Sequence, residues 1–157
     1  MPKTILILFG LFSLKTGAQQ IEQFYYLEPE TKNLPVYIRG KLKPKTVLLY
    51  IQGGIAQNGI NFGRSDYPNW KNSQEEKVAI AYYDERGLNR RINHIDTSKI
   101  NESQVLEDIL CIAQNLKDKY QAEVYLLGHS LGEQKAFRSI APYPPQLRPS
   151  ELFKSGR

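Results

Sequence analysis

The sequence predicts an α/β protein in which helices flank a parallel sheet. Three apolar runs without alternation of polar residues occupy residues 47–51, 78–83 and 124–127. Such runs are typical of strands that are buried on both faces, as in a parallel sheet. An amphipathic segment over residues 102–119 separates the last two runs, and strands that alternate with a helix of this length form β-α-β units.

The N-terminal residues 1–18 have the pattern of a secretory signal peptide. Lys3 precedes an apolar run over residues 5–14, and the small residues Gly17 and Ala18 then precede Gln19. The run is shorter than the ~20 residues that span a bilayer, so we expect no stable membrane anchor. The expected location is secreted or periplasmic; the alternative is that this segment forms a buried N-terminal strand or helix.

Two short strands are expected next, over residues 24–27 and 36–39, with prolines between them. Residues 56–72 are rich in Asn and Gly and are predicted to form one long loop. The tail over residues 134–157 contains four prolines, which lack the N–H that strands need and which break helix interiors. We therefore expect a short helix from Leu131 to about Ile140 and disorder beyond it.

The segment over residues 102–119 gives the clearest helix signal. Asn101 can cap its N-terminus, and Gln104 can complete a capping box. Apolar residues recur at helical spacing at Val105, Ile109, Ile112, Leu116 and Tyr120. The charged residues off this stripe are expected to face water: Glu107, Asp108, Lys117 and Asp118.

The most informative motif is Gly128-His129-Ser130-Leu131-Gly132, a G-x-S-x-G pattern directly after the run 124–127. On a sharp strand-to-helix turn this pattern exposes the serine hydroxyl as a nucleophile. Ser130 is therefore the candidate catalytic residue, and the N–H of Leu131 can face a developing oxyanion. The alternative is a tight turn without chemistry.

Two further motifs follow strand ends. Gln52-Gly53-Gly54 comes after the run 47–51, where a second oxyanion donor belongs, and Gly54 is the candidate because its N–H has no side chain in the way. Asp84-Glu85-Arg86-Gly87 comes after the run 78–83. Taken alone, these charges could form a solvated ion pair on a loop.

In order and spacing, IQGG, YYDERG, the capped helix and YLLGHSLG resemble the N-terminal half of α/β-hydrolases of the proline-iminopeptidase-like branch. The resemblance covers about residues 36–132. It implies a serine hydrolase that cleaves a peptide, amide or ester bond of a small substrate, with Ser130 as nucleophile and with Gly54 and Leu131 as oxyanion donors. The expectation of a peptidase in preference to an esterase rests on this resemblance alone.

The sequence departs from that family's motifs at several positions, and Asn89-Arg90-Arg91 does not continue the family pattern. Gln52 stands where the family usually has His, Ile55 where it has Pro, and Glu85 where it has Gln. Glu133 follows the G-x-S-x-G motif where a small residue is usual, so a charged side chain is expected to crowd the start of the helix.

The sequence provides no conventional base for Ser130. The order in this fold is Ser, acid, His, but no His follows Ser130, and the only two His residues are His94, in a predicted loop, and His129. Residues 19–133 are therefore interpreted as the N-terminal part of an α/β-hydrolase domain, an incomplete core truncated before the triad acid and base. The chain alone is expected to be inactive; the alternative is a non-catalytic remnant or binding module on the same scaffold.

Other function classes find little support. The formal net charge is +5, but the basic excess lies in residues 1–18 and 134–157 and forms no stripe with interleaved aromatics, so nucleic acid is not expected as a partner. Neither paired His/Cys spacing for zinc nor the Gly-Lys-Ser/Thr of a phosphate loop is present. We therefore expect no metal and no cofactor.

Overall fold

The computed structural model describes residues 19–27, 34–42, 45–54, 58–65, 69–86, 88–89, 94–95 and 101–141. The predicted signal peptide and the predicted disordered tail beyond residue 141 lie outside these residues. The strands are β1 (Gln19–Leu27), β2 (Leu34–Leu42), β3 (Thr46–Ile51), β4 (Ala79–Tyr83), β5 (Leu88–Asn89), β6 (His94–Ile95) and β7 (Glu123–Gly128). The helices are α1 (Gly59–Arg64), α2 (Asn69–Glu75), α3 (Glu102–Tyr120) and α4 (Leu131–Ile140).

Five strands form one sheet in the order β1-β2-β4-β3-β7. β3 pairs in parallel with both β4 and β7, so the three predicted runs form the parallel part of the sheet, as the sequence indicates. The expected burial of the run 124–127 on both faces is wrong, because β7 is the edge strand of this sheet and only Val124 in it is buried. β2 runs antiparallel to β4, and β1 runs antiparallel to β2, so the sheet as a whole is mixed. Strands β5 and β6 form a separate antiparallel pair.

The sheet carries an apolar core on each face. Alternate residues of β3 point to opposite faces, so Leu49 packs in one cluster with Ile109 and Leu116 of α3, and Tyr50 packs in the other with Ile60 of α1. Burial on both faces explains why β3 and β4 read as uninterrupted apolar runs. No helix in the described part of the chain is long and apolar enough to cross a membrane.

The prediction of one long loop over residues 56–72 is wrong, because α1 and part of α2 lie there. The Asn-rich composition that suggested a loop supplies a helix cap instead. The side chain of Asn58 accepts a hydrogen bond from the Asn61 N–H at 2.8 Å and satisfies a donor that the first turn of α1 would otherwise leave unpaired.

Helix α3 matches the predicted segment, with two differences at its polar residues. Asn101 caps the helix by accepting from the Ser103 N–H at 2.9 Å, but Gln104 accepts a hydrogen bond from Arg86 at 3.3 Å in place of completing the capping box. Asp108, expected to face water, is only 4% exposed. Its partner is Arg86, 22 residues earlier in the sequence, which no helical periodicity could reveal.

Candidate active site at the end of β7

Ser130 lies on the turn that joins β7 to α4, as the G-x-S-x-G pattern predicts. Its backbone has φ 55° and ψ −125°, a conformation that L-residues seldom adopt and that costs strain. The turn is closed by hydrogen bonds from the Gly132 N–H to the His129 carbonyl at 2.9 Å and from the Glu133 N–H to the Ser130 carbonyl at 3.0 Å. These bonds hold Ser130 in its strained conformation at the start of α4.

The glycines of the motif allow the turn to pack tightly against the sheet. A Cβ on Gly132 would lie 2.0 Å from the carbonyl oxygen of Ile51 in β3. A Cβ on Gly128 would lie 2.6 Å from Cα of Glu133. Both obstacles are backbone atoms, so no side-chain movement could relieve them, and only Gly fits at either position.

The expected crowding by Glu133 is wrong, because its side chain is exposed to solvent. Gly128 already provides the space that the backbone of Glu133 needs. Glu133 also lies in the first turn of α4, where a carboxylate is favoured by the positive end of the helix dipole.

Ser130 lies at the surface of the described part of the chain. Ser130 is an exposed residue, and its side chain makes no cap hydrogen bond to α4. The following residue, Leu131, is 37% exposed. The turn therefore presents the serine at the surface beside the first N–H groups of a helix, which have no partners within the helix.

Gly53 is the residue of the β3 loop that lies against Ser130. A Cβ on Gly53 would lie 2.8 Å from Cβ of Ser130 and 3.3 Å from its Oγ. Gly54, the predicted oxyanion donor, follows in the same loop with a positive φ of 84°. The sequence signal for this close contact was the Gly-Gly pair, but the pair alone did not show which glycine approaches the serine.

No described contact of His129 joins it to Ser130 as a base. The ring of His129 stacks on the ring of Tyr50, with centroids 6.5 Å apart and planes at 21°, and its backbone N–H donates to the Ile51 carbonyl at 2.9 Å. His94, expected in a loop, lies in β6, where it pairs with Asn89. The side chain of His94 lies outside what the structure describes.

The two carboxylates at the end of β4 are buried, so the interpretation as a solvated ion pair is wrong. Asp84, 2% exposed, accepts a hydrogen bond from the Ile60 N–H of α1 at 3.0 Å. Glu85, 4% exposed, pairs with a lysine of α4. The third charge of the motif, Arg86, pairs with α3, so three successive residues connect β4 to three different helices.

Arg86 makes the only bidentate ion pair among these contacts of the described residues. Its Nε donates to Oδ2 of Asp108 at 2.7 Å, and its Nη2 donates to the other carboxylate oxygen. The hydrogen bonds to Asp108 raise the pKa of Arg86 above its usual value. This pair fixes α3 against the carboxyl end of β4. Ser130 lies on the same side of the sheet, at the carboxyl end of β7.

A cavity of about 280 Å³ lies between α3 and α4, next to the candidate site. Its apolar wall is formed by Val105, Leu106 and Leu131, and its charged rim includes Glu85 and Arg138. Leu131 connects this cavity to the turn, since its side chain lines the cavity and its N–H follows Ser130. Among the described residues, no group of three or more His, Cys, Asp or Glu side chains could hold a metal ion.

Neither a protein-family model nor a curated protein matches the sequence. Solved structures do match. A proline iminopeptidase-related protein from Thermus thermophilus has a TM-score of 0.52 and 22% identity, over 79% of this chain and 41% of that one. A thermostable carboxyl esterase from Bacillus coagulans has a TM-score of 0.60 and 17% identity, over 77% and 40%. An alpha/beta hydrolase from Novosphingobium aromaticivorans has a TM-score of 0.51 and 16% identity, over 84% and 42%.

The chain has the α/β-hydrolase fold. The predicted fold is thus confirmed, and with it the resemblance to the N-terminal half of such proteins, because the chain spans about two-fifths of the length of the solved structures named above. At these identities the similarity concerns the α/β-hydrolase fold and not the activity. Ser130 and Leu131 lie on the predicted turn and Gly54 lies in the predicted loop after β3, while their catalytic roles stay predictions. The contact of Lys135 in α4 with the Gly54 carbonyl was not predicted, because a lysine in a helix carries no sequence signal for it.

Proposed function

We propose that this chain provides the nucleophile-bearing half of a serine hydrolase that cleaves a peptide, amide or ester bond, with Ser130 as the nucleophile. The observation that carries the proposal is the strained backbone of Ser130, at φ 55° and ψ −125°, on a tight turn from β7 into α4. Strain of this kind persists only where the surrounding structure enforces it, and it is concentrated at functional sites. A serine that caps a helix only for structural reasons would not need this conformation.

Two N–H groups are proposed to bind the oxyanion. Leu131 is the first residue of α4, so its N–H lacks a partner within the helix and lies at the positive end of the helix dipole. Gly54 lies on the loop whose preceding residue, Gly53, contacts Ser130. Donors from these two segments would converge on the carbonyl oxygen of a substrate whose carbonyl carbon Ser130 attacks, because the negative charge of acyl transfer develops on that oxygen.

The general base and its acid are proposed to lie outside the described part of the site. The ring of His129 stacks on Tyr50, and the Ser130 side chain makes no cap hydrogen bond that would occupy its hydroxyl. The solved α/β-hydrolases are more than twice as long as the region that this chain matches. Without a base, the serine keeps its proton near neutral pH and is a poor nucleophile, so this chain alone is expected to show little or no turnover.

The second candidate function is a non-catalytic binding module on the same scaffold. The stacking of His129 on Tyr50 favours it, since a serine turn without a base has no catalytic advantage. The two candidates differ in one respect that can be measured: only the hydrolase requires Ser130 to be chemically competent when a base is supplied.

The substrate class and the location are further proposals. A small peptide or ester is proposed as the substrate, because solved structures with this fold include a carboxyl esterase and a proline iminopeptidase-related protein, and because the cavity beside Leu131 has an apolar wall. A secreted or periplasmic location is proposed from the charge and hydropathy pattern of residues 1–18.

Chemical rescue of the missing base tests the proposed function. The purified chain is assayed with p-nitrophenyl esters and p-nitroanilides, with and without added imidazole, beside a Ser130→Ala variant. We expect no turnover above the variant without imidazole, and turnover above the variant once imidazole can act as the base. Equal rates for both proteins at all imidazole concentrations would favour the binding module. Turnover well above the variant without imidazole would show that a base is already present, and His94 would be the first residue to substitute.

A further inference from the structure

Lys135 of α4 connects the two loops that follow β3 and β4. Its Nζ donates to the Gly54 carbonyl at 2.5 Å and to Oε1 of Glu85 at 2.5 Å, with a longer contact to the Gln52 carbonyl at 3.5 Å. The side chain of Lys135 is 13% exposed and that of Glu85 is 3% exposed. A lysine is seldom buried to this extent unless it is paired, and here the paired cation also binds main-chain carbonyls.

The loop over residues 52–54 is therefore held at both ends by the segment that contains Ser130. At one end, the Ile51 carbonyl accepts from the His129 N–H at 2.9 Å. At the other end, the Gly54 carbonyl accepts from Lys135. Gly53, between these two attachments, contacts Ser130.

Without the second attachment the loop would have considerable freedom. It contains two consecutive glycines, and Gly54 adopts a φ of 84° that glycine alone reaches at little cost. Glycine restricts the backbone less than any other residue, so neither Gly53 nor Gly54 can keep the intervening peptide group in one orientation. Lys135 restrains the two peptide groups on either side of that one, through the Gly54 carbonyl and, at 3.5 Å, the Gln52 carbonyl. Hydrogen bonds from an ionised donor are roughly twice as strong as neutral ones, so this restraint limits the rotation of the peptide group between them, which carries the Gly54 N–H.

We propose that Lys135 is a positioning residue that fixes the Gly54 backbone, and with it the oxyanion donor of this loop, against Ser130. Glu85 compensates the charge of Lys135 so that the cation can remain buried. The catalytic meaning of this inference rests on the proposed function, whereas the restraint on the loop does not.

The competing explanation is that the Lys135–Glu85 pair only stabilises the packing of α4 on the sheet. Under that explanation, removal of both charges would loosen α4 and its neighbours together. Under the proposal, the loss of rigidity is confined to the glycine loop, and it is reversed by a residue that restores a cationic donor.

The test is nuclear magnetic resonance relaxation on the full chain labelled with ¹⁵N-glycine, whose 11 glycines give a small set of amide signals. The main variant, Lys135→Met with Glu85→Gln, removes both charges, so that neither is left buried and unpaired. We expect the order parameters of the Gly53 and Gly54 amides to fall from about 0.85, typical of rigid backbone, to below about 0.6. Gly128 and Gly132 should be unchanged, and Lys135→Arg should restore the rigid values.

Arg138→Met is the matched control, because it removes another cation of α4 whose partner, Glu102, is 60% exposed and lies outside the loop. It should leave all four glycines unchanged. Unchanged order parameters for Gly53 and Gly54 in the double variant would overturn the proposal. An equal loss at Gly128 and Gly132, or a failure of Lys135→Arg to restore the loop, would support the packing explanation instead.

A second readout separates this inference from the proposed function. The rate at which a fluorophosphonate probe labels Ser130, measured with imidazole present, should fall in the double variant toward the loss of about 10²–10³-fold that removal of one oxyanion donor causes. It should recover in Lys135→Arg. Unchanged labelling with a mobile loop would refute the catalytic role of Lys135. If the unaltered protein is not labelled at all, the proposed function fails, and the relaxation experiment still decides whether Lys135 holds the loop.

Discussion

Replacement of Ser130 by glycine should stabilise the protein, although it destroys the proposed nucleophile. The backbone of Ser130 has a φ of 55° with a ψ of −125°, which is unfavourable for any residue that carries a Cβ. Glycine reaches this conformation without the steric penalty. Ser130→Ala is the matched control, because it removes the same exposed hydroxyl but keeps the Cβ.

The size of the effect follows from two opposing terms. A residue held in a sparsely populated backbone region costs about 1–3 kcal/mol, and glycine removes that cost. Glycine also gives the unfolded chain more freedom, which costs about 0.4–1 kcal/mol. The difference is about 1 kcal/mol in favour of Ser130→Gly over Ser130→Ala. Ser130→Ala should lie close to the unaltered protein, because the hydroxyl makes no cap hydrogen bond.

Urea unfolding followed by circular dichroism measures this difference directly. The free energies of unfolding are compared only if they depend on urea concentration with the same slope in all three proteins, because a changed slope would indicate a changed unfolded state. Ser130→Gly should have the highest midpoint of the three proteins. A Ser130→Gly protein that is less stable than Ser130→Ala would refute the argument that the turn strains its central residue, and with it the main support for Ser130 as a nucleophile.

Two further predictions concern the packing that holds the site. Gly132→Ala places a methyl group 2.0 Å from the Ile51 carbonyl oxygen, which overpacks the turn and breaks the hydrogen bond that this oxygen accepts from the His129 N–H. We expect the free energy of unfolding in urea to fall by about 3 kcal/mol or more. A fall of less than about 1 kcal/mol would contradict the close approach of α4 to β3. Arg86→Met leaves the carboxylate of Asp108, 5% exposed, without its cation and should cost about 3–5 kcal/mol. Arg138→Met breaks an ion pair whose side chains are 55% and 60% exposed, so it should lower the free energy of unfolding by less than about 1 kcal/mol. Equal losses of stability in Arg86→Met and Arg138→Met would show that burial does not decide how much each ion pair stabilises the protein.

The sequence predicts the parallel strands, the long helix and the turn at Ser130 because their signals are local. Apolar runs identify strands buried on both faces, and the apolar stripe of α3 has the period of a helix. The position of Ser130 follows from an apolar run that is directly followed by the G-x-S-x-G motif. The structure explains the glycines of this motif, because Gly128 and Gly132 lie too close to backbone atoms for any larger residue to fit.

The contacts that hold the site together could not be predicted, because their partners are distant in the sequence. Asp108 was expected to face water from its place on the helix, but it is buried against Arg86 of another element. Lys135 and Glu85 are 50 residues apart, and neither carries a local signal. The loop prediction over residues 56–72 failed for a different reason, since Asn is typical both of loops and of helix N-caps.

The central claim, that the fold holds Ser130 as a nucleophile, is tested most directly by locating a fluorophosphonate adduct by peptide mass spectrometry. The probe is applied, with imidazole present, to the folded chain, to the urea-unfolded chain and to Ser130→Ala. We predict an adduct on Ser130 in the folded chain alone, because only the folded turn exposes the hydroxyl beside oxyanion donors. An absence of adduct on Ser130, or equal labelling of the folded and unfolded chains, would contradict the account.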